Sequence, residues 1–439
     1  MGTEKAKLTL DQEQALYHLN HQERRNIFLT GGAGTGKSFL IQHFLRSTTE
    51  KIPVLASTGA AAILIGGRTF HSFFGLGLMQ GGPQLTFEKA LTNKRLKKRL
   101  KSVSTLIIDE VSMLSHETLD CAEAIARALR TVDMPWGGIR IIAIGDFAQL
   151  PPVSRAMPEE FGGYRANTKP WAFLGEAWAS SGFKRLILEE VMRTGDQDFL
   201  KVLEDLRWGN LSVRLKHFLE NQTCEYVDED VTHLFPRRNQ TDKYNLGRLA
   251  DLSSESRKYE TIYSGESRYF DQLKRDAPVS EVLELKKGAH VMIRVNDPRQ
   301  RYVNGTTGTV VALKDDVITV DTANRRIDIE PFVFGVQDAD GNEVAFAKNF
   351  PLSLAYASTI HKIQGATLDR LHVDLASLWE PGQAYVALSR ARRGKDVTIM
   401  RWSPSSIRSD EMVKEFYSGS DKVTKKENLY ETEFQDQSI

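Results

Sequence analysis

Short apolar runs that stop abruptly at polar residues set the rhythm of this chain. Asn-Ile-Phe-Leu-Thr at 26–30 opens into a glycine-rich turn, and the FLIQHFLR beyond it carries apolar residues at helical spacing. VLAST (54–58), TLIIDE (105–110) and IRIIAIGD (139–146) repeat the form, each a buried strand with a polar carboxyl end. Strands alternating with helices predict an α/β fold with a doubly wound parallel sheet, whose ligands sit at the carboxyl ends of its strands. This first body runs to about residue 190. A second set follows with helices between its members: VTHLF (231–235), SLAYAST (353–359), RLHVDL (370–375) and DVTIM (396–400). Residues 285–349 have another texture. GAHVMIRV, NGTTGTVVAL, DVITVD and RRIDIEPFVFGV are short strands with turn signals, which predict a small β-barrel inserted into the second α/β body. From about 418 onward the chain is polar and reads as a frayed tail.

Length and composition narrow the picture. A chain of 439 residues is too long for one core. With 41% hydrophobic and 26% charged residues it is an ordinary globular composition, and its net charge of +1 means that any nucleic-acid site is a local patch. Cys121 and Cys224 stand far apart without a Cys/His cluster, which argues against a disulfide framework or a zinc site and fits a reducing compartment. Cys121 falls in a helical pattern and reads as a small core thiol. No run of 18 apolar residues exists and the first residues are polar, so the expectation is a soluble protein with no membrane partner.

The chemistry begins at GGAGTGKS, Gly31 to Ser38, which matches G-x-x-x-x-G-K-[ST] between a predicted strand and a predicted helix. In that context the backbone of Gly32, Ala33, Gly34, Thr35 and Gly36 wraps phosphates, Lys37 reaches the β- and γ-phosphates, and the Ser38 hydroxyl can ligate Mg²⁺. Asp109, at the end of a buried strand, is placed to hold Mg²⁺, and Glu110 beside it to polarise an attacking water. A third strand ends in Gly145-Asp146-Phe147-Ala148-Gln149 before Pro151 and Pro152. Asp146 and Gln149 would then stand at the γ-phosphate rim, with the prolines stiffening the exit; an ordinary strand-ending turn accounts for the same residues. Together these features indicate nucleoside-triphosphate hydrolysis, with ATP and Mg²⁺ as the expected cofactors.

GGAGTGKS, IIDEVSM, GDFAQLPPV, STIHKIQGATLD and AYVALSRARR stand in the order and spacing of superfamily-one helicases of the 5′-to-3′ subgroup. The stretch from Leu119 to Val153 resembles the insert that marks the Pif-one-type helicases, and the likeness extends over roughly residues 8 to 402. It implies two RecA-like domains: 1A over 1–190 with a small wedge insertion near 65–104, and 2A over 191–284 and 350–417. An SH3-like 2B fills 285–349. In LTLDQEQAL the resemblance makes Gln12 the adenine-reading amide. It brings Arg193 and Arg390 to the γ-phosphate from the second domain and sets Tyr385 near the nucleotide, although as a helix aromatic Tyr385 reads equally as core. Thr58, Thr69, Phe70, His71, Thr359, His361 and Lys362 match strand-binding motifs, with Phe70 or Phe73 either stacking on a base or filling the core. Two departures are Ile363, where the family usually has Ser, and Phe70, where Ile is commoner.

KRLKKRLK at 94–101 holds six basic residues in eight, with Leu96 and Leu100 on one helix face. A solvated helix anchored by leucines and a DNA-binding patch both fit. The resemblance implies an ATP-dependent 5′-to-3′ DNA helicase, monomeric and cytoplasmic in a bacterium, archaeon or phage. Its partners would be single-stranded DNA and single/double-strand junctions, with G-quadruplexes and RNA–DNA hybrids as further substrates, and its setting replication, recombination, repair or telomere-type maintenance. Two rivals remain at the level of sequence: a nucleotide-switched binding protein that separates no strands, and a small-molecule kinase indifferent to DNA.

Overall fold

A computed structural model describes residues 8–20, 25–57, 61–62, 68–77, 79, 82–152, 169–192, 194–224, 231–297, 301–323, 325–337 and 343–419. Six parallel strands make the first sheet: β1 (Ile27–Gly31), β2 (Val54–Ala56), β3 (Arg68–Thr69), β4 (Thr105–Asp109), β5 (Arg140–Ile144) and β6 (Lys184–Leu188). Their order is β3-β2-β4-β5-β1-β6. Successive residues feed opposite cores. Ile27, Leu29, Ile107, Ile142 and Ile144 pack with Leu19, Leu40 and Phe44 of the helices Leu10–Asn20 and Lys37–Ser47. Phe28, Leu106, Ile108, Ile141 and Ala143 pack with Ala122, Ile125 and Leu129 of the helix His116–Arg130. Both faces are covered, which is why these strands read as unbroken apolar runs. The chain leaves β1 for β2 on the far side of β4 and β5, so the carboxyl ends of β1, β4 and β5 open side by side, where an open parallel sheet binds its ligand.

A second body opens with the helices Gln197–Arg207 and Val213–Asn221 and β7 (Thr232–Phe235), and after the helix Arg238–Ala250 the chain departs into antiparallel structure. There β8 (Ser256–Glu260), β9 (Ile262–Gly265), β10 (Val282–Lys286), β11 (His290–Ile293), β12 (Thr307–Leu313), β13 (Ile318–Thr322), β14 (Arg326–Ile329), β15 (Phe332–Gln337), β16 (Glu343–Asn349) and β17 (Leu352–Leu354) surround a core of their own. The chain returns for β18 (Ala357–Thr359), β19 (Leu371–Asp374) and β20 (Val397–Arg401), which join β7 in a parallel sheet of order β18-β7-β19-β20. The antiparallel part reaches beyond the 285–349 expected from the pattern, because β8 pairs with β10 and β9 with β16. SRKYE and IYSG carry almost no buried positions, so nothing in their hydropathy marks them as strands. SLAYAST is likewise divided, its first residues serving β17 and its last β18.

The last described helix, Glu411–Gly419, leaves the second sheet and packs on the first. Val413 joins the Phe28 core with Phe416 and Tyr417 against it, and Arg185 donates to the carbonyls of Phe416 and Tyr417 at 2.8 and 3.1 Å. In the basic run, Lys94–Lys101 is a helix capped by Asn93, with Leu96 and Leu100 fully buried as the helical spacing predicts. Arg99 donates to the Phe73 carbonyl at 3.0 and 2.7 Å and ties this helix to the neighbouring helix Phe70–Phe74.

Candidate active site at the cleft between two parallel sheets

β1 ends at Gly31, and the helix Lys37–Ser47 begins five residues after that turn opens, with Gly36 as its N-cap in the left-handed region (φ 82°, ψ 21°). That positive φ favours glycine, and a Cβ on Gly36 would also stand 2.5 Å from Gln12 Nε2 and push that amide aside. The first turn of this helix holds no acidic residue, which leaves its N-terminal amides and positive dipole end suited to an anion. Lys37 Nζ donates to the Gly31 and Gly32 carbonyls at 2.8 and 3.0 Å. Burial lowers its pKa, and the carboxylates of Asp146 and Glu110 oppose that shift.

β4 delivers the two carboxylates. Glu110 sits at φ 51°, ψ 47°, a left-handed conformation that costs a non-glycine residue about 1–3 kcal/mol and that gathers at functional sites. Its N–H donates to Asp109 Oδ1 at 3.0 Å. Burial raises the Asp109 pKa. Burial, with Asp109 next to it, pushes Glu110 up to about 7, inside the range where a carboxylate takes a proton from water most effectively at neutral pH. Two adjacent buried carboxyls whose charged forms are disfavoured are what a divalent cation would relieve. Among the described residues no group of three or more His, Cys, Asp or Glu could hold a metal by itself. Asp109 and the Ser38 hydroxyl would hold Mg²⁺ only in company with phosphate oxygens and water, which is how that ion is usually bound.

β5 delivers the third element. Asp146 is fully buried, its Oδ1 accepts the Ala148 N–H at 3.2 Å, and Gln149 Nε2 stands 3.5 Å from its Oδ2. The second sheet's segments close over these groups. Gln364 Nε2 lies 3.4 Å from Glu110 Oε2 and 3.3 Å from Gln149 Oε1. Tyr385 Oη accepts the Ala33 N–H at 2.7 Å and donates to Asp146 Oδ2 at 3.3 Å. Arg207, at the end of the helix Gln197–Arg207, donates through Nη2 to Asp146 Oδ1 at 3.1 Å. Gly382 starts the Tyr385 helix at φ 79°, and a Cβ there would meet the Gln149 and Ala148 carbonyls at 2.6 and 2.7 Å. The glycine-rich loop, the acidic end of β4 and the Asp146–Gln149 turn therefore share one cleft, and the second body supplies its other wall.

Comparison with known proteins decides the family. Residues 7–214 match the model of the PIF1-like helicase family. The ATP-dependent DNA helicase Pif1 of Bdellovibrio bacteriovorus is 47% identical over 420 residues, which is 95% of this chain and 93% of that protein. The chain belongs to the PIF1-like helicase family. It spans 64% or less of the longer vertebrate relatives that it resembles. Among solved structures, Pif1 from Bacteroides sp in complex with ADP-AlF4 superposes with a TM-score of 0.84 at 28% identity, covering 95% of this chain and 97% of that one. Pif1 helicase from Bacteroides in complex with ADP-AlF3 and ssDNA gives 0.65 at 27% identity, with 95% and 98% covered. The two parallel sheets fit the RecA-like domains of such a helicase.

Within this PIF1-like frame Gln12 is 1% exposed and lies on the phosphate loop, its Nε2 donating to the Thr35 carbonyl at 3.1 Å and its Oε1 accepting the Thr9 N–H at 3.2 Å. Arg390 is buried beside Glu110, whose carboxylate it helps keep charged; its nitrogens donate to the carbonyls of Val386 (2.9 Å) and Ala366 (3.4 Å) and to Ser389 Oγ (2.9 Å). Arg193 and Thr58 lie outside the described residues. Thr69 caps the Phe70–Phe74 helix through Oγ1, and Thr359 Oγ1 accepts the Lys362 N–H at 3.3 Å. His71 and His361 are half-buried and Lys362 is exposed. Phe70 corrects the expectation of a base-stacking ring. It is 0% exposed and packs on Phe74 with centroids 4.8 Å apart, and Phe73 at 2% is equally core. Ile363 is also fully buried, so the hydroxyl lost at that position is exchanged for packing in the second core.

Three residues of the site escaped the sequence reading. Gln364 lies inside STIHKIQG, beside the more conspicuous His361 and Lys362, and is the amide that reaches Glu110. Arg207 and Tyr417 carry no motif signal at all. Tyr417 Oη lies 2.8 Å from Thr30 Oγ1 and accepts the Phe147 N–H at 3.2 Å, so the returning helix touches both β1, which leads to the glycine-rich loop, and the turn after β5.

Proposed function

We propose that the chain is an ATP-dependent DNA helicase that moves 5′ to 3′ along single-stranded DNA and separates duplex ahead of it. The observation that carries this reading is the inter-body hydrogen bonding in the cleft: Gln364, Tyr385 and Arg207 of the second body engage Glu110, Gln149, Asp146 and Ala33 of the first. Hydrolysis chemistry placed between two bodies couples the loss of a phosphate to their relative movement. In this scheme Lys37 and the loop amides from Gly32 to Ser38 bind the triphosphate, Gln12 reads the adenine edge, and Glu110 takes the proton of the attacking water. Gln149 orients that water or a γ-phosphate oxygen, and Arg193 and Arg390 neutralise charge as the terminal phosphoryl group transfers. Asp109 and Ser38 would hold Mg²⁺, whose contribution is to neutralise phosphate charge. Thr58, Thr69, His71, Thr359, His361 and Lys362 form the DNA track. Burial holds the His71 and His361 pKa values below the ordinary imidazole value, so both meet the strand as neutral hydrogen-bonding rings.

We read residues 1–190 with the returning helix Glu411–Gly419 as domain 1A, its wedge near 65–104, residues 191–250 and 357–401 as 2A, and the antiparallel insertion β8–β17 as an SH3-like 2B. The protein works as a monomer in the cytoplasm, on junctions first and on G-quadruplexes or RNA–DNA hybrids as harder substrates. ATP turnover with and without single-stranded DNA, followed by strand displacement on duplexes with a 5′ or a 3′ overhang, tests the reading. Turnover should rise with DNA and only the 5′-tailed duplex should separate. DNA-indifferent turnover would favour a small-molecule kinase, and stimulated turnover without displacement a switched binding protein.

The basic helix extends the DNA track in this reading. Lys94, Arg95, Lys97, Lys98 and Lys101 are exposed, and Arg99 fastens their helix to the one that carries His71. Replacing those exposed five with glutamine should flatten the salt dependence of single-strand binding, by about 0.7 in the log–log slope for each phosphate that is no longer neutralised. An unchanged slope would return the run to a plain solvated helix face.

A further inference from the structure

One group of buried polar contacts is left unused by the hydrolysis scheme. Tyr385 spends its hydroxyl on a backbone amide of the phosphate loop: the Ala33 N–H reaches its Oη at 2.7 Å. The glycine-rich loop also lies in van der Waals reach of both partners, since a Cβ on Gly32 would lie 3.4 Å from that Oη and 4.0 Å from Arg207 Nη1. The same hydroxyl donates to Asp146 Oδ2 at 3.3 Å, and Asp146 Oδ1 receives Arg207 Nη2 at 3.1 Å. Arg207 is 8% exposed, and its Nε–H is buried without an acceptor among the described residues. Its guanidinium also lies over Trp208 and Tyr417, with centroids 4.8 and 5.6 Å away. A buried pair of this kind is held by few contacts, and losing one partner strands the other charge. The chain of bonds thus begins at a phosphate-loop amide of the first body and ends on a helix of the second.

Resting on the reading that a nucleoside triphosphate binds at the Lys37 loop, we propose that Tyr385, Asp146 and Arg207 form a relay in which the Tyr385 hydroxyl competes with phosphate for the Ala33 amide. Phosphate arriving at Ala33 displaces the hydroxyl and its ring, Asp146 loses a donor, and the carboxylate, with one donor fewer to share its charge, draws harder on Arg207 and so shifts the hold on the helix 197–207. Loop occupancy is reported to the second body in this way, before any bond of the nucleotide is broken. All three act as positioning residues; none touches the reacting atoms.

The substitution Tyr385→Phe keeps the ring and removes only the competing hydroxyl. Equilibrium binding of a fluorescent, hydrolysis-resistant ATP analogue with Mg²⁺ should tighten about two- to tenfold, the worth of one net hydrogen bond. In the unsubstituted protein the analogue should change amide hydrogen exchange across residues 197–207, and Tyr385→Phe should abolish that response. Unchanged or weaker binding, or a helix that responds as before, overturns the relay. If Tyr385→Phe does not fold, Asp146→Asn reads the same device: the exchange response at 197–207 should vanish, and its persistence overturns the proposal. An unsubstituted protein that fails to bind the analogue sinks the ATP-site reading itself and the relay with it. Good binding by that protein with no tightening in Tyr385→Phe sinks the relay alone.

Discussion

Glu110→Gln is expected to bind ATP as the unsubstituted protein does and to lose about 10²- to 10⁴-fold in DNA-stimulated turnover, the usual worth of a positioned general base. Glutamine keeps the shape and the contact with Gln364 but cannot accept a proton. Because burial and the neighbouring Asp109 push Glu110 up to about 7, the competent, deprotonated form is already being lost just below neutrality. The kcat/KM for ATP, which reports the free enzyme, should therefore fall as pH drops below 7, approaching tenfold per pH unit, and level off above it. The residual activity of Glu110→Gln should show no such limb. A Glu110→Gln protein with full turnover, or with the same acid limb, would remove Glu110 from the base role.

Arg390→Lys is the second large effect. Arg390 donates to two carbonyls and a hydroxyl of its own body while lying close enough to Glu110 to influence its charge. Lysine keeps the positive charge but loses the planar fork that holds these bonds and that can meet a phosphate in bidentate fashion. We expect turnover to drop by about 10³-fold or more, as for other arginines that complete a phosphoryl-transfer site from across a cleft, with little change in ATP affinity. Binding by fluorescence and single-turnover hydrolysis separate the two quantities. Intact single-turnover rates in Arg390→Lys would exclude the role, and a comparable loss of affinity would point to ground-state binding instead.

Sequence patterning carried the first body a long way, because a strand buried on both faces reads as an unbroken apolar run. β1, β4 and β5 lie within a residue or two of their expected places, and their polar carboxyl ends are the three walls of the site. β3 and β6 went unmarked: two residues make no pattern, and KRLIL buries only Leu186 and Leu188. The antiparallel body was legible as a texture but not in its extent, since β8 and β9 bury almost nothing. Within the site, residues in motifs were legible because their spacing is fixed by local geometry. Arg207 and Tyr417 were not. Each reaches the cleft only because a helix from elsewhere packs across it, and an isolated Arg or Tyr carries no record of the surface it will meet. Phe70 shows the converse: its motif neighbours suggested a ligand, and its burial assigns it to the core.

The helix Glu411–Gly419 has a mechanical consequence. Since the chain crosses from the first body to the second near residue 190 and crosses back before residue 411, the second body is moored at both ends. Twin moorings define a rotation axis and limit sliding and twisting about other directions. Relative movement of the two bodies is then restrained by connectivity at both ends as well as by the contacts across the cleft.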